Sequence, residues 1–244
     1  MKTMIKLGLS RSLLLPISLT TTFLSIDAAI SLGLVSSMVA FLHSYGRGPF
    51  EIAADPTAGS SFLLAGEPAN LVTDQGHTTN AAGGTALVLV GGGGLIALLL
   101  ERRARTKYTK TSPVFYLWAL IVTLSWLLTL TALIYTFVET SVTGAQSIDL
   151  ALAVANPAPA RYPDGRWTPE SWYTAVLKLP LVSGVDRTTI SGNVTYMEAW
   201  RWNLVALFVL GFVLMALVVL EVLRIRREQN RSVSMVEVLS ESPK

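Results

Sequence analysis

The chain has 244 residues, of which 51% are hydrophobic and 14% charged, and its mean hydropathy is +0.51. Soluble domains carry roughly 25% charged residues, so this composition indicates a membrane protein. The net charge of +3 does not indicate nucleic-acid binding, because most Lys and Arg residues flank apolar runs, as they do beside membrane spans. Without cysteine, disulfides and thiolate chemistry are excluded.

The first apolar run, at residues 12–43, follows a basic N-terminus at residues 1–11 and exceeds the roughly 20 residues that a spanning helix needs. We expect it to form the first span, TM1. A cleaved signal peptide is the alternative, because the small residues Ala28 and Ala29 follow a basic and then an apolar segment. Apolar residues continue as far as Leu42, which favours an uncleaved anchor.

Residues 44–79 contain several prolines, glycines and acids without a clear period, which predicts an irregular outer loop. The second span, TM2, is predicted at residues 80–100 and contains four consecutive glycines. A phosphate-binding loop is disfavoured, because the Lys-Ser/Thr pair that follows such loops is missing. Small residues let membrane helices approach closely, so we expect a helix-packing role for the four. They are Gly91, Gly92, Gly93 and Gly94.

A short basic loop at residues 101–112 separates TM2 from TM3, which is predicted at residues 113–139 and opens on Pro113, a good first-turn residue. By the positive-inside rule the loop and both termini are cytoplasmic. Contact with anionic lipid is a secondary role, worth about 1 kcal/mol per cation. The cations of this loop are Arg102, Arg103, Arg105, Lys107 and Lys110.

The second outer loop is predicted at residues 140–199. A short amphipathic helix is expected within it at about residues 169–179, because Thr168 suits an N-cap and Pro169 a first turn. TM4 follows at residues 200–223. Aromatic residues of the second outer loop and of the start of TM4 are expected to form a recognition or capping surface. They are Trp167, Trp172, Tyr173, Trp200 and Trp202.

The second outer loop also contains a glycosylation sequon at Asn193-Val194-Thr195. Asn193 is therefore a candidate glycan acceptor, and an unmodified polar residue is the alternative. The tail at residues 224–244 is basic and predicted to be cytoplasmic.

Asp27 is the acid deepest in a predicted span, where an ionised carboxylate is costly and a polar partner is expected. One hypothesis is a polar pathway or proton-coupled site formed with Thr20 and Ser31 of TM1 and with Ser125 and Thr129 of TM3. The alternative is a protonated Asp27 that acts as helix glue or lies near an interface. The spans contain no catalytic, metal-binding or cofactor-binding motif.

Residues 160–205 carry a distinctive series, Tyr162-Pro-Asp-Gly-Arg-Trp-Thr-Pro-Glu-Ser-Trp-Tyr, Val176-Leu-Lys-Leu-Pro-Leu and Met197-Glu-Ala-Trp-Arg-Trp-Asn-Leu. The series resembles the second outer loop and last span of uncharacterised four-span integral membrane proteins of filamentous ascomycete fungi. The general plan resembles MARVEL-type proteins, in topology only. Neither resemblance implies a catalytic residue.

Together these features predict an all-α fold: a four-helix transmembrane bundle with two extracellular or lumenal loops, in the plasma membrane or a secretory-pathway membrane. The expected function is that of a non-enzymatic scaffold or accessory subunit, without cofactor, metal or nucleic acid. Its expected partners are the lipid bilayer and another integral membrane protein or a second copy. The alternative is a small transporter or channel component with a polar site around Asp27.

Overall fold

The structure is a computed structural model that describes residues 12–55, 59–108 and 111–241. Four of its helices are long and apolar enough to cross a membrane. Each exceeds the roughly 20 residues that cross the hydrocarbon core, so the chain is a multi-pass membrane protein with the predicted all-α fold. The four are Leu14–His43, Asp74–Lys107, Pro113–Thr143 and Gly184–Arg231.

Several helices extend beyond the predicted spans. A short 3-10 helix, Tyr45–Arg47, follows the first long helix, and a π-helical segment, Thr85–Gly92, joins the two α-helices of TM2. The last helix begins well before residue 200, where the sequence predicts TM4. The elements are α1 (Leu14–His43), β1 (Phe50–Asp55), β2 (Ser60–Leu64), α2 (Asp74–Gly84), α3 (Gly93–Tyr108), α4 (Pro113–Thr143), α5 (Leu150–Ala155), α6 (Pro169–Leu177) and α7 (Gly184–Glu241).

The first loop is not irregular throughout, because β1 and β2 pair as an antiparallel hairpin. Phe50 lies opposite Leu64, and both side chains are buried. Ile52, two residues along β1, is also buried, whereas Glu51 between them is exposed. This alternation of period two covers only three residues, which is too short for the sequence to reveal a strand.

The chain divides into two compact units. The basic unit comprises the described parts of residues 1–26, 86–126 and 209–244, and the loop unit comprises those of residues 27–85 and 127–208. The basic unit is named for the arginines of α3 and α7, and the loop unit contains both predicted outer loops.

Glycine lets helices approach closely in the basic unit. A Cβ atom on Gly91 would overlap the Ser25 hydroxyl of α1, and one on Gly94 would lie 2.9 Å from Cζ2 of Trp118 in α4. A Cβ atom on Gly93 would also contact Trp118, at 3.9 Å. One on Gly92 would meet no atom of another helix within 4 Å among the described residues. The expected packing role therefore applies most strongly to Gly91 and Gly94.

Trp118 is held in place by more than van der Waals contact. Its side chain is buried, and its indole N–H donates a 3.0 Å hydrogen bond to the Val90 carbonyl in the π-helical segment. A π-helical turn replaces the hydrogen-bond pairing of an α-helix by pairing over five residues. The ring therefore cannot move aside cheaply when its neighbour grows.

Near the C-terminal end of α3, Arg105 bridges two buried carboxylates. Its Nε lies 2.6 Å from Oε1 of Glu101, and its Nη1 lies 2.7 Å from Oε1 of Glu221, and both glutamate side chains are 0% exposed. The second oxygens accept backbone N–H groups, from Ser112 to Glu101 at 2.7 Å and from Leu13 to Glu221 at 3.3 Å. Removal of one partner from such a network costs about 3–5 kcal/mol, because a buried charge is left unpaired.

Two glycine-to-alanine substitutions test the packing of the basic unit. Gly94→Ala should lower the thermal unfolding temperature in detergent, because overpacking costs about 1–3 kcal/mol and the Trp118 ring is fixed. Gly92→Ala is the matched control, and it should leave stability unchanged or raise it by up to about 1 kcal/mol through helix propensity. Circular dichroism would measure both, and equal unfolding temperatures for the two variants would contradict the packing.

Candidate functional site

The loop unit has an aromatic core. The Trp167 and Trp172 rings meet edge to face, with centroids 5.2 Å apart and planes at 77°, and Tyr162 lies 5.8 Å from Trp172. These side chains are almost completely buried. Edge-to-face aromatic pairs add roughly 0.5–1.5 kcal/mol beyond the burial of area, so this cluster stabilises a loop region that has no disulfide.

The start of α6 orients part of this core. The Thr168 hydroxyl accepts the Ser171 backbone N–H at 3.2 Å, and the Thr168 N–H donates to the Ser171 hydroxyl at 3.0 Å. Pro169 occupies the first turn, as predicted. This reciprocal cap satisfies two backbone groups at the helix end and so fixes where Trp172 and Tyr173 lie.

These two side chains of α6 hold the loop that surrounds β1 and β2. The Trp172 indole N–H donates to the Gly66 carbonyl at 2.7 Å, and the Tyr173 hydroxyl donates to the Gly46 carbonyl at 2.8 Å. Burial raises the pKa of the Tyr173 phenol, so it remains a protonated donor. The two carbonyls are thereby fixed to the core.

Gly46 and Gly66 are required at these two positions by close approach. A Cβ atom on Gly66 would overlap the carbonyls of Gly46 and Arg47, and one on Gly46 would lie 2.6 Å from the Tyr173 hydroxyl. The Gly66 N–H also donates to the Arg47 carbonyl at 3.2 Å. The backbone that bears Arg47 is therefore positioned by the core.

Beside this contact lies a solvent-open groove of about 650 Å³. Leu63 and two prolines form its apolar part, and a hydrogen bond of 2.7 Å from the Ala158 N–H to the Leu63 carbonyl joins its two walls. Ligand-binding clefts have volumes of about 300–1,000 Å³, so this groove falls within that range. The lining includes Arg47, Pro49, Leu63, Glu67, Pro159 and Arg161.

Of the two arginines that line the groove, one has an ion-pair partner among the described residues and the other does not. Arg161 Nη2 lies 3.2 Å from Oε2 of Glu67. Arg47 is exposed and makes no ion pair with any residue in the described ranges. The groove therefore has an excess of one positive charge.

The predicted aromatic recognition surface is corrected by the structure. Trp167, Trp172, Tyr173 and Trp200 are each at most 3% exposed, so they pack inside the loop unit and present no surface. Trp202 is the exception, at 60% exposure. Aromatic character in a loop does not by itself separate core from surface, because aromatic residues are enriched in both.

Trp202 belongs to a small cluster on α7, α4 and α6. Its ring meets Phe137 edge to face at 5.5 Å, and the Arg201 guanidinium lies 5.9 Å from its centroid. Arg201 also pairs with Glu170 at 3.2 Å. Burial raises the pKa of the Glu170 carboxyl, and the Arg201 charge opposes that rise.

The predicted intramembrane polar residues fall in different units. Asp27, Ser31 and Thr129 belong to the loop unit, whereas Thr20 and Ser125 belong to the basic unit. Ser31 is 1% exposed and Asp27 is partly buried, and both have a side-chain oxygen without a hydrogen-bond partner in the described ranges.

Two further polar residues lie in the loop-unit part of the spans. The Asn203 side-chain amide of α7 donates to the Asp27 backbone carbonyl at 3.4 Å. It does not donate to the Asp27 carboxylate. The Thr136 hydroxyl in α4 is fully buried and has no partner among the residues described. Buried polar atoms without partners cost about 1–3 kcal/mol each, so they mark a place where another group is expected.

The cations of the basic loop differ in their exposure and in their ion pairs. Arg105 is committed to Glu101 and Glu221 inside the basic unit, which limits the lipid contact expected of it. The side chains of Arg102, Arg103 and Lys107 are exposed, and Lys110 lies outside the described residues. The predicted role in topology and lipid contact is untested for these four.

The sequon lies in a helix and not in a loop. Asn193 is part of α7, its side chain is partly buried, and its amide donates to the Thr189 carbonyl at 2.9 Å. Acceptor sites are typical of surface loops, so this position is less favourable than the sequence indicates. Glycosylation of Asn193 stays a prediction.

The groove residues were not singled out by the sequence. Arg47 and Arg161 lie far apart in the chain, in two loops without a common motif. The available signal was the density of glycine and proline around residues 46–49 and 65–68, which marks turns and close backbone approach. Only the fold brings the two arginines to one groove.

Two tryptophan substitutions test the roles that the structure gives these rings. Trp172→Phe keeps an aromatic ring but leaves the buried Gly66 carbonyl without its donor, so the free energy of unfolding should fall by about 1–3 kcal/mol. Trp202→Phe, at an exposed position, should change it by less than about 0.5 kcal/mol. Chemical unfolding followed by circular dichroism would compare them. A larger effect of Trp202→Phe would contradict the assignment of core and surface.

No protein-family model matches this chain, and neither a curated protein nor a solved structure is significantly similar to it. The resemblance of residues 160–205 to fungal four-span proteins therefore stays a prediction.

Proposed function

We propose that this chain is a non-enzymatic scaffold or accessory subunit of a membrane protein complex, and that the loop unit is the part that recognises the partner. The basic loop at residues 101–112 supports an orientation with both termini in the cytoplasm. The loop unit then contacts partners on the extracellular or lumenal side, in the plasma membrane or a secretory-pathway membrane.

The observation that carries this proposal is the fixed groove. Its walls are held by hydrogen bonds from Trp172 to Gly66 and from the Ala158 N–H to the Leu63 carbonyl. A surface that is ordered before binding loses less conformational entropy on association, so a modest contact area gives useful affinity. Loop surfaces held by a rigid scaffold are also where binding residues concentrate.

The bundle itself supports an anchoring role. Its close contacts at Gly91 and Gly94 and its buried Arg105 network connect α1, α3, α4 and α7 within the basic unit. In lipid, helix association depends on such packing and on polar contacts, because lipid tails are as apolar as leucine. A stable bundle anchors the chain in the membrane, where a neighbouring integral membrane protein or a second copy is within reach.

Site-specific photocrosslinking in the native membrane tests this function. A photoreactive residue at Leu63, which is 46% exposed in the groove, should give one discrete adduct with another membrane protein or a second copy. The same residue at Val154, 43% exposed and outside the groove lining, should not. A chain that purifies alone as a monomer from mild detergent and gives no adduct at Leu63 would refute the proposal.

A small transporter or channel component is the second candidate. The observation that favours it is the set of buried oxygens without partners on Asp27, Ser31 and Thr136 in the loop unit, within the described ranges. Intramembrane acids of transporters form such polar sites and exchange protons or ions.

Replacement of Asp27 separates the two candidates. In reconstituted vesicles with an internal pH dye, the accessory-subunit proposal predicts proton entry at the rate of protein-free vesicles for the wild type and for Asp27→Asn. Asp74→Asn, an acid in the first turn of α2, is the control. A wild-type proton flux that Asp27→Asn removes and Asp74→Asn retains would establish the transporter instead.

A further inference from the structure

We propose that the groove binds an acidic peptide segment of the partner protein, with a carboxylate between Arg47 and Arg161 and an apolar side chain on Leu63. The inference rests on the proposed function and names the chemistry of the partner. It is based on two arginines and an apolar surface that line one groove of about 650 Å³.

The charge of the groove selects for an acid. Arg47 lies at the groove without an ion pair to any residue within the described ranges, and Arg161 shares its charge with Glu67 through one contact of 3.2 Å. Guanidinium groups present donors in a planar fork that matches a carboxylate, so an entering acid gains charged hydrogen bonds. A basic segment would meet two like charges and one acid that is already paired.

The apolar part of the groove selects for a side chain beside that acid. Leu63 lies in β2 next to the buried Leu64, yet it is 46% exposed and lines the groove with Pro49 and Pro159. An apolar side chain that covers Leu63 removes area from water, worth about 25 cal/mol per Å². An acid and a neighbouring apolar residue are therefore recognised together.

A peptide fits this groove better than an anionic lipid surface does. The site is concave, and Glu67 places a carboxylate within it, which repels a dense layer of anionic headgroups. A peptide brings few negative charges and also backbone N–H groups, which a carboxylate accepts. The Gly66 N–H donates to the Arg47 carbonyl, so the backbone from which the Arg47 side chain extends is fixed.

The test measures peptide binding to the full chain in nanodiscs of zwitterionic lipid, by fluorescence anisotropy. The probe is a short fluorescein-labelled peptide of alternating aspartate and leucine, and the matching lysine–leucine peptide is the reference. We expect the aspartate–leucine peptide to bind more tightly and to weaken as salt is raised. Equal binding of the two peptides, or no binding of either, would overturn the inference.

Variants assign the binding to the groove. Arg47→Gln and Arg161→Gln should each weaken the aspartate–leucine peptide roughly tenfold to hundredfold, as expected for the loss of a charged hydrogen bond. Lys178→Gln, which removes an exposed cation outside the groove lining, should leave the affinity unchanged. An equal loss in all three variants would overturn the inference in favour of a general charge effect.

Leu63→Ser tests the apolar half of the site. It should weaken the aspartate–leucine peptide more than an aspartate–serine peptide, because only the former covers the apolar surface. Phosphatidylserine vesicles are the lipid arm. Displacement of the bound peptide by these vesicles, with the same dependence on Arg47 and Arg161, would overturn the inference in favour of a membrane surface.

Failure of this inference and failure of the proposed function are distinguishable. If a partner crosslinks at Leu63 but Arg47→Gln and Arg161→Gln leave peptide binding unchanged, the recognition role stands and the acidic specificity is refuted. If the peptide binds through both arginines while the native chain is a monomer without an adduct, the acidic specificity stands and the accessory role is refuted.

Discussion

The hydrogen bonds from Trp172 and Tyr173 into the backbone at Gly66 and Gly46 are the constraint on which the loop unit depends. This unit contains no cysteine, so its loops are held by buried aromatic packing and by carbonyls that find donors in the core. A buried carbonyl without a donor costs about 1–3 kcal/mol, so both contacts favour one backbone path. That path determines where Arg47 lies, and with it the groove.

The basic unit obeys a different physical rule. Burial of apolar surface drives little association between helices in lipid, so close contacts and polar pairs must specify the arrangement. Gly91 and Gly94 allow the contacts, and Arg105 supplies the polar pairs with Glu101 and Glu221. Arg105, one of the five cations predicted to set topology, thus also has an internal structural role.

The sequence predicted the four long apolar helices but not the hairpin and groove of the loop unit, for physical reasons. Spans are recognised by apolar length, which needs no knowledge of neighbours. The hairpin of β1 and β2 shows period two over only Phe50 to Ile52, and the burial of Trp172 depends on residues more than a hundred positions away. The groove joins Arg47 to Arg161, and no local pattern reports such a pairing.

We expect the groove to be ordered before any partner binds. Hydrogen exchange of the backbone amides in the intact chain, in lipid nanodiscs without a ligand, tests it most directly. The Gly66 and Ala158 amides, which donate to the carbonyls of Arg47 and Leu63, should exchange as slowly as those of α6. Exchange of these two amides at the rate of an unfolded chain, with α6 protected, would contradict it.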